Sequence, residues 1–126
     1  MKRLLSGSAV LLVLLLFGIL ISISIVRIHM PIAENLRSAA VAAELQDWAD
    51  ASRLAQDAQT RWETWRHFTA AFTDHSPMDE LDVQFAQLEV YLSEENIPAF
   101  RVTCERLSQL AQALADSHRL RWWTFL

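Results

Sequence analysis

The densest cluster of ionisable groups in this chain is the stretch Asp74-His75-Ser76-Pro77-Met78-Asp79-Glu80-Leu81-Asp82. An imidazole set among carboxylates can ligate a divalent cation or move a proton. The candidate metal ligands are therefore His75, Asp79 and Asp82, with His67 upstream as a further donor. The same residues also have a purely structural use. Asp79 and Glu80 near the start of a helix offset the positive end of its dipole, and His75 can tie the loop to Asp79 or Asp82. We favour the structural use, because a closed metal site needs three or four ligands, each oriented by further partners. No metal and no cofactor are expected.

Other chemistries find less support. The di-iron carboxylate bundles use Glu-x-x-His, which does not occur here; Glu63 and His67 are four apart. No Ser or Cys has a nearby His and acid in a nucleophile arrangement. Cys104, the only cysteine, cannot form an internal disulfide and falls on an apolar helix face, where a thiol acts as a small hydrophobe. Both glycines, Gly7 and Gly18, lie near the N-terminus, and the chain from Met30 onward has none. Glycine-rich phosphate loops and dinucleotide turns need glycine for positive φ or close backbone approach, so those nucleotide sites are excluded. The expectation is a protein without catalytic activity.

The elements that must position these residues begin with the apolar stretch Leu4 to Val26, which carries no charge. At about 1.5 Å per residue it is long enough for a hydrocarbon core of roughly 30 Å. A cleaved secretory signal has a shorter apolar core and ends in small residues. Here Arg27, Ile28, His29 and Met30 follow, and only Ser22 and Ser24 resemble a cleavage site. The stretch reads as an uncleaved signal anchor occupying residues 1–29, with a helical domain over 30–126. Gly18 and Ser22 form a small-x-x-x-small pair that would let a second span pack closely. Lys2 and Arg3 on one side balance Arg27 and Arg37 on the other. The short basic leader favours a cytoplasmic N-terminus and an extracytoplasmic domain at the cell membrane.

The net charge of −4 conceals an asymmetry. The first 29 residues carry +3, and the remainder, with eight Arg and fifteen acidic residues, carries −7. An acidic domain repels a phosphate backbone, so nucleic acid is not an expected partner. Abundant Ala, Leu, Gln, Glu and Arg without glycine favours helices, and the spacing predicts four after the anchor: about 31–46, 47–73, 77–93 and 97–118. Pro31 suits a first turn, and Ile32, Leu36, Ala39 and Ala43 share a face. Asp47 caps the second helix, whose seam is Trp48, Ala51, Ala55, Ala58, Trp62, Trp65, Thr69 and Phe72. Ser76 caps the third, with Pro77 at its first position and Leu81, Phe85, Leu88 and Leu92 inward. The last buries Ile97, Phe100, Cys104, Leu107, Leu110, Ala111 and Leu114. The fold class is all-α, a transmembrane helix followed by a four-helix bundle of two hairpins. A faint echo between Leu45-Gln46-Asp47-Trp48 and Glu94-Glu95-Asn96-Ile97 would suit tetratricopeptide-like packing. The tail from Arg119 mixes cations and aromatics. Arg121, Trp122, Trp123 and Phe125 are candidates for partner or membrane contact.

The order of these features, a single N-terminal span, Asp47-Trp48-x-x-Ala51, Trp62 and Trp65, Asp74-His75-x-x-x-Asp79-x-x-Asp82, then Leu88 and Tyr91-Leu92 before a final leucine-rich helix, resembles domain-of-unknown-function family 4363. The resemblance covers nearly the whole chain and implies a small membrane-anchored helical protein of a Gram-positive, often spore-forming, bacterium. It implies no activity. His75 and Asp82 match the family's His and second Asp. Ser76-Pro77-Met78 and Thr124-Phe125-Leu126 depart from its pattern. Together the readings point to a module that binds a protein partner or a second copy of itself, bound to the bilayer by its N-terminal helix. The alternative is a metal-binding or sensor domain centred on His75, Asp79 and Asp82.

Overall fold

In the computed structural model the backbone is described for residues 1–123 and side chains for residues 1–117. Four helices, α1 (Lys2–Glu44), α2 (Trp48–Ala70), α3 (His75–Ser93) and α4 (Ile97–Trp123), follow one another, with no strand among the described residues. A helix starting at Pro31 could be separate from the apolar stretch or its extension; it is the extension, and Pro31 lies inside α1. Proline removes the bond to the carbonyl of Arg27 and crowds it. The apolar stretch holds the helix on one side, and Ile32, Ala33 and Leu36, buried in the core, hold it on the other. Tertiary packing outweighs the one missing rung. The result is a single rod of 43 residues, about 65 Å long. Its first half is exposed large apolar side chains, and its second half is the first helix of the bundle.

α1 packs most extensively against α4 and α2; α3 lies mainly on α4 and touches α2 sparsely. Small residues allow the close approach. Ala33, Ala39, Ala40, Ala42 and Ala43 of α1 and Ala51, Ala55 and Ala58 of α2 are all buried. The inward faces of α3 and α4 follow the expected sets with one exception: Leu81, Phe85 and Leu88, then Phe100, Cys104, Leu107, Ala111 and Leu114 are buried, Leu92 and Leu110 pack against the core's edge, and Ile97 at the start of α4 is only half-buried. The α2 seam departs from expectation at its end. Trp62 is 2% exposed, but Trp65 is 43% exposed and stands outside the core. Thr69, one turn beyond Trp65, is again fully buried, so the departure is confined to the Trp65 position.

The connections define a head, formed by the α1–α2 and α3–α4 turns, and a foot, formed by the α2–α3 turn and the departing end of α1. At the head, two turns are built alike. In the first, Gln46 N–H bonds Ala43 O at 3.0 Å and Asp47 N–H bonds Ala42 O at 2.9 Å. In the second, Glu95 bonds Leu92 O at 3.2 Å and Asn96 bonds Tyr91 O at 3.0 Å. Both are Schellman closures, with Gln46 (φ 60) and Glu95 (φ 53) in the left-handed region. Asp47 and Asn96 then cap the next helices, accepting from the N–H of Asp50 and Ala99. Trp48 and Phe100, just inside those helices, stack edge-on at 5.4 Å. The sequence echo is thus a repeated turn. A side chain in the left-handed region costs about 1 kcal/mol relative to glycine. Gln46→Gly and Glu95→Gly are each expected to raise the unfolding free energy by about 0.5–1 kcal/mol, measured by denaturant melts in mild detergent.

At the foot, α2 ends at Ala70 rather than residue 73, and α3 starts at His75 with Asp74, not Ser76, in the cap position. Pro77 falls in the first turn, where its missing N–H has no helical partner to lose.

Candidate functional site

The polar centre of the foot is Asp82. One carboxylate oxygen accepts the indole N–H of Trp62 at 2.8 Å. The other accepts Arg66 Nε at 2.7 Å and Arg66 Nη2 at 2.6 Å. Trp62 and Arg66 stand one turn apart on α2, so a single carboxylate from α3 clamps both and compensates for the sparse apolar contact between these helices. Burial acts to raise the pKa of Asp82. The hydrogen bonds from Arg66 and Trp62, with the Arg66 charge, outweigh it and hold the carboxyl below its ordinary value. A depressed folded-state pKa means that the stabilisation is present above the unfolded-state pKa and fades as pH falls through the folded one. Acid melts should therefore lose stability at and below the ordinary carboxylate range, and Asp82→Asn should flatten that limb. Asp82→Ala leaves the Trp62 N–H in a buried setting without its acceptor, and about 1–3 kcal/mol should be lost at neutral pH. The ion pair itself adds little at this exposure.

These contacts place the candidate metal ligands. Asp82 faces Trp62 and Arg66, Asp79 lies 4.0 Å from Arg66, and His75 is exposed at the start of α3. The expectation that His75 ties the loop to Asp79 or Asp82 gives way to Arg66, which reaches both because α2 and α3 run side by side. Among the described residues, no three His, Cys, Asp or Glu side chains converge to hold a metal ion. Cys104 is buried in α4, and burial pushes its thiol up to about 12, which keeps it an unreactive hydrophobe.

His29 was not singled out by spacing or motif. It is fully buried on α1, its ring 5.9 Å from Trp62, with Nε2 3.4 Å from the Thr69 hydroxyl. That hydroxyl donates its one proton to the carbonyl of Trp65 at 3.0 Å, which leaves its lone pairs facing the imidazole. The foot of the bundle is thus joined to α1 one turn beyond the apolar stretch.

Gly18 is exposed, and a Cβ built there meets nothing within 4 Å; Ser22, one turn on, is half-buried. On α4, Arg37 of α1 bonds Gln112. About three turns further on the helix ends at Trp123, level with the end of the apolar stretch. Arg121, Trp122 and Trp123 have their backbone in that last turn, but their side chains, and all of Phe125, lie outside the described residues.

At the head, a shallow hollow of about 340 Å³ lies between α1 and the start of α2. Val41, 55% exposed, and Leu45, 75% exposed, form its apolar part, with Arg37 and Asp50 among its charged edges.

Comparison with curated proteins and with solved structures returns no match. A family model does match, the domain of unknown function DUF4363, over residues 19–123. It begins in the last turns of the apolar stretch and ends with α4, so it covers the bundle and the part of α1 that leads into it. The chain belongs to the DUF4363 family.

Proposed function

We propose that this is a non-catalytic, single-pass membrane protein whose bundle is held outside the cytoplasmic membrane by α1 and binds a protein partner through its head. The first half of α1 has a mean hydropathy of 3.1 over its most apolar window and is exposed on nearly all sides, which a water-soluble fold would not leave uncovered. The observation that carries the binding reading is the hollow at the head. Leu45 and Val41 project there beside cationic and anionic groups, the mixture that protein interfaces use at the edge of an apolar patch. The head is also the end farthest from the apolar stretch, where a partner can approach without meeting lipid.

A photo-crosslinking amino acid at Leu45, expressed in the native host, tests this reading. A discrete protein adduct at Leu45, missing when the crosslinker stands at exposed Glu63, is the expected result. Equal adducts at both positions, or none at Leu45, would remove the head as a binding surface. An adduct with a second copy of this chain would make the partner a homo-oligomer.

A further inference from the structure

We propose that the end of α2 is a membrane-seating strip, in which Trp65, Phe68 and Phe72 rest in the lipid headgroup layer beside the point where α1 leaves the bilayer; this rests on the reading of α1 as a membrane span. The three rings form a ladder, with Trp65 and Phe68 edge-on at 6.1 Å and Phe68 and Phe72 at 5.3 Å. Trp65 is exposed, and Phe68 and Phe72 are only half-buried. The core therefore leaves a large aromatic surface uncovered.

The height of the strip identifies what covers it. Thr69 meets His29, and His29 stands one turn beyond Val26, the end of the apolar stretch. Phe72 lies one turn from Thr69 in the direction of the foot, which puts it level with Val26, at the edge of the hydrocarbon. Trp65 lies about 10 Å higher along the helix axis, at the outer boundary of a headgroup layer about 5–8 Å deep on each side of the core. Arg61, one turn above Trp65 on the same face, is exposed.

Read towards the foot, this face runs Arg61, Trp65, Phe68, Phe72: cation, amphipathic aromatic, then purely apolar rings. The order follows the polarity gradient from water to acyl chain, with the charged group outermost and the purely apolar rings deepest. A protein-binding face has no reason to be graded along the direction of the span. Such seating would lay α2 against the lipid and turn the outer faces of α3 and α4 towards water.

Depth-dependent quenching tests the strip in the full chain. Single cysteines in a Cys104→Ala background carry an environment-sensitive fluorophore in phosphatidylcholine vesicles containing brominated lipid. Trp65 is compared with Glu80, an exposed position near the same height on α3, and Phe72 with His75. Quenching about threefold stronger at Trp65 than at Glu80, and stronger again at Phe72 than at His75, is expected. Equal quenching within each pair, with strong quenching at a Leu16 label, would overturn the strip while leaving the span intact. Absence of quenching at Leu16 would instead overturn the span. The Phe72 pair keeps the test decisive if the Trp65 variant loses its helical circular dichroism.

Discussion

Trp62→Ala is expected to remove about 3–5 kcal/mol of folding stability, the largest loss from any single side chain in the bundle. Three separate effects converge on this residue. Its ring is 2% exposed, so truncation leaves a large cavity in a small core. Its N–H is one of the few groups that bind α3 to α2, through Asp82. Its ring also packs on His29, where α1 enters the bundle. A domain of about a hundred residues has only about 5–15 kcal/mol to lose, and each kcal/mol moves its melting temperature by about 4–8 °C. Thermal unfolding in mild detergent should fall by at least about 12 °C. Trp62→Phe keeps most of the ring volume and loses the bond to Asp82, and it should fall by much less. A shift under about 5 °C for the alanine variant would show that the α2–α3 pairing does not depend on Trp62.

The second large effect concerns the apolar half of α1. Replacing Leu12 and Leu15 together by arginine places two charges near the middle of the proposed span, at about 3 kcal/mol each by membrane-insertion scales. The variant should move from the alkaline-resistant membrane pellet to the supernatant or be degraded. Both side chains are exposed and take no part in the core, so the bundle's own melting should be unchanged in detergent. Retention of the double variant in the pellet would contradict the span. A changed melting temperature would mean that the apolar half of α1 supports the bundle as well.

How much of this was legible in the sequence depended on the range of the interactions. The caps Asp47 and Asn96 are local devices of a residue type that favours helix starts, whereas at α3 the same rule pointed to Ser76 and the cap position falls to Asp74. The inward faces of α3 and α4 followed from spacing alone, because each helix presents one stripe to one core. Pro31 left the join undecided because the proline rule is also local, whereas the force that carries α1 through it comes from Ile32, Ala33 and Leu36 buried against other helices. Trp65 misled for a related reason: the spacing that placed Trp62 and Thr69 inward placed Trp65 there too, and only the packed neighbours decide which of the three is covered.

The Asp82 clamp was only half visible. The sequence marked the acid-rich stretch but not its partner, since Arg66 lies sixteen residues upstream on another helix. His29 had no sequence signal at all, because a single histidine after an apolar run gains meaning only when Thr69 and Trp62 are folded against it. The repeated head turn was visible as an echo, although neither turn uses the glycine that usually marks a left-handed position.

The claim on which the rest depends is that α1 crosses the membrane and continues, unbroken, into a bundle on the outer side. Single cysteines at Leu16 and at Asn96, in a Cys104→Ala background, can be exposed to a membrane-impermeant maleimide in intact and in lysed cells. Asn96 should label in intact cells, and Leu16 should label in neither preparation. Labelling of Leu16 would contradict a span, and labelling of Asn96 only after lysis would place the bundle on the cytoplasmic side.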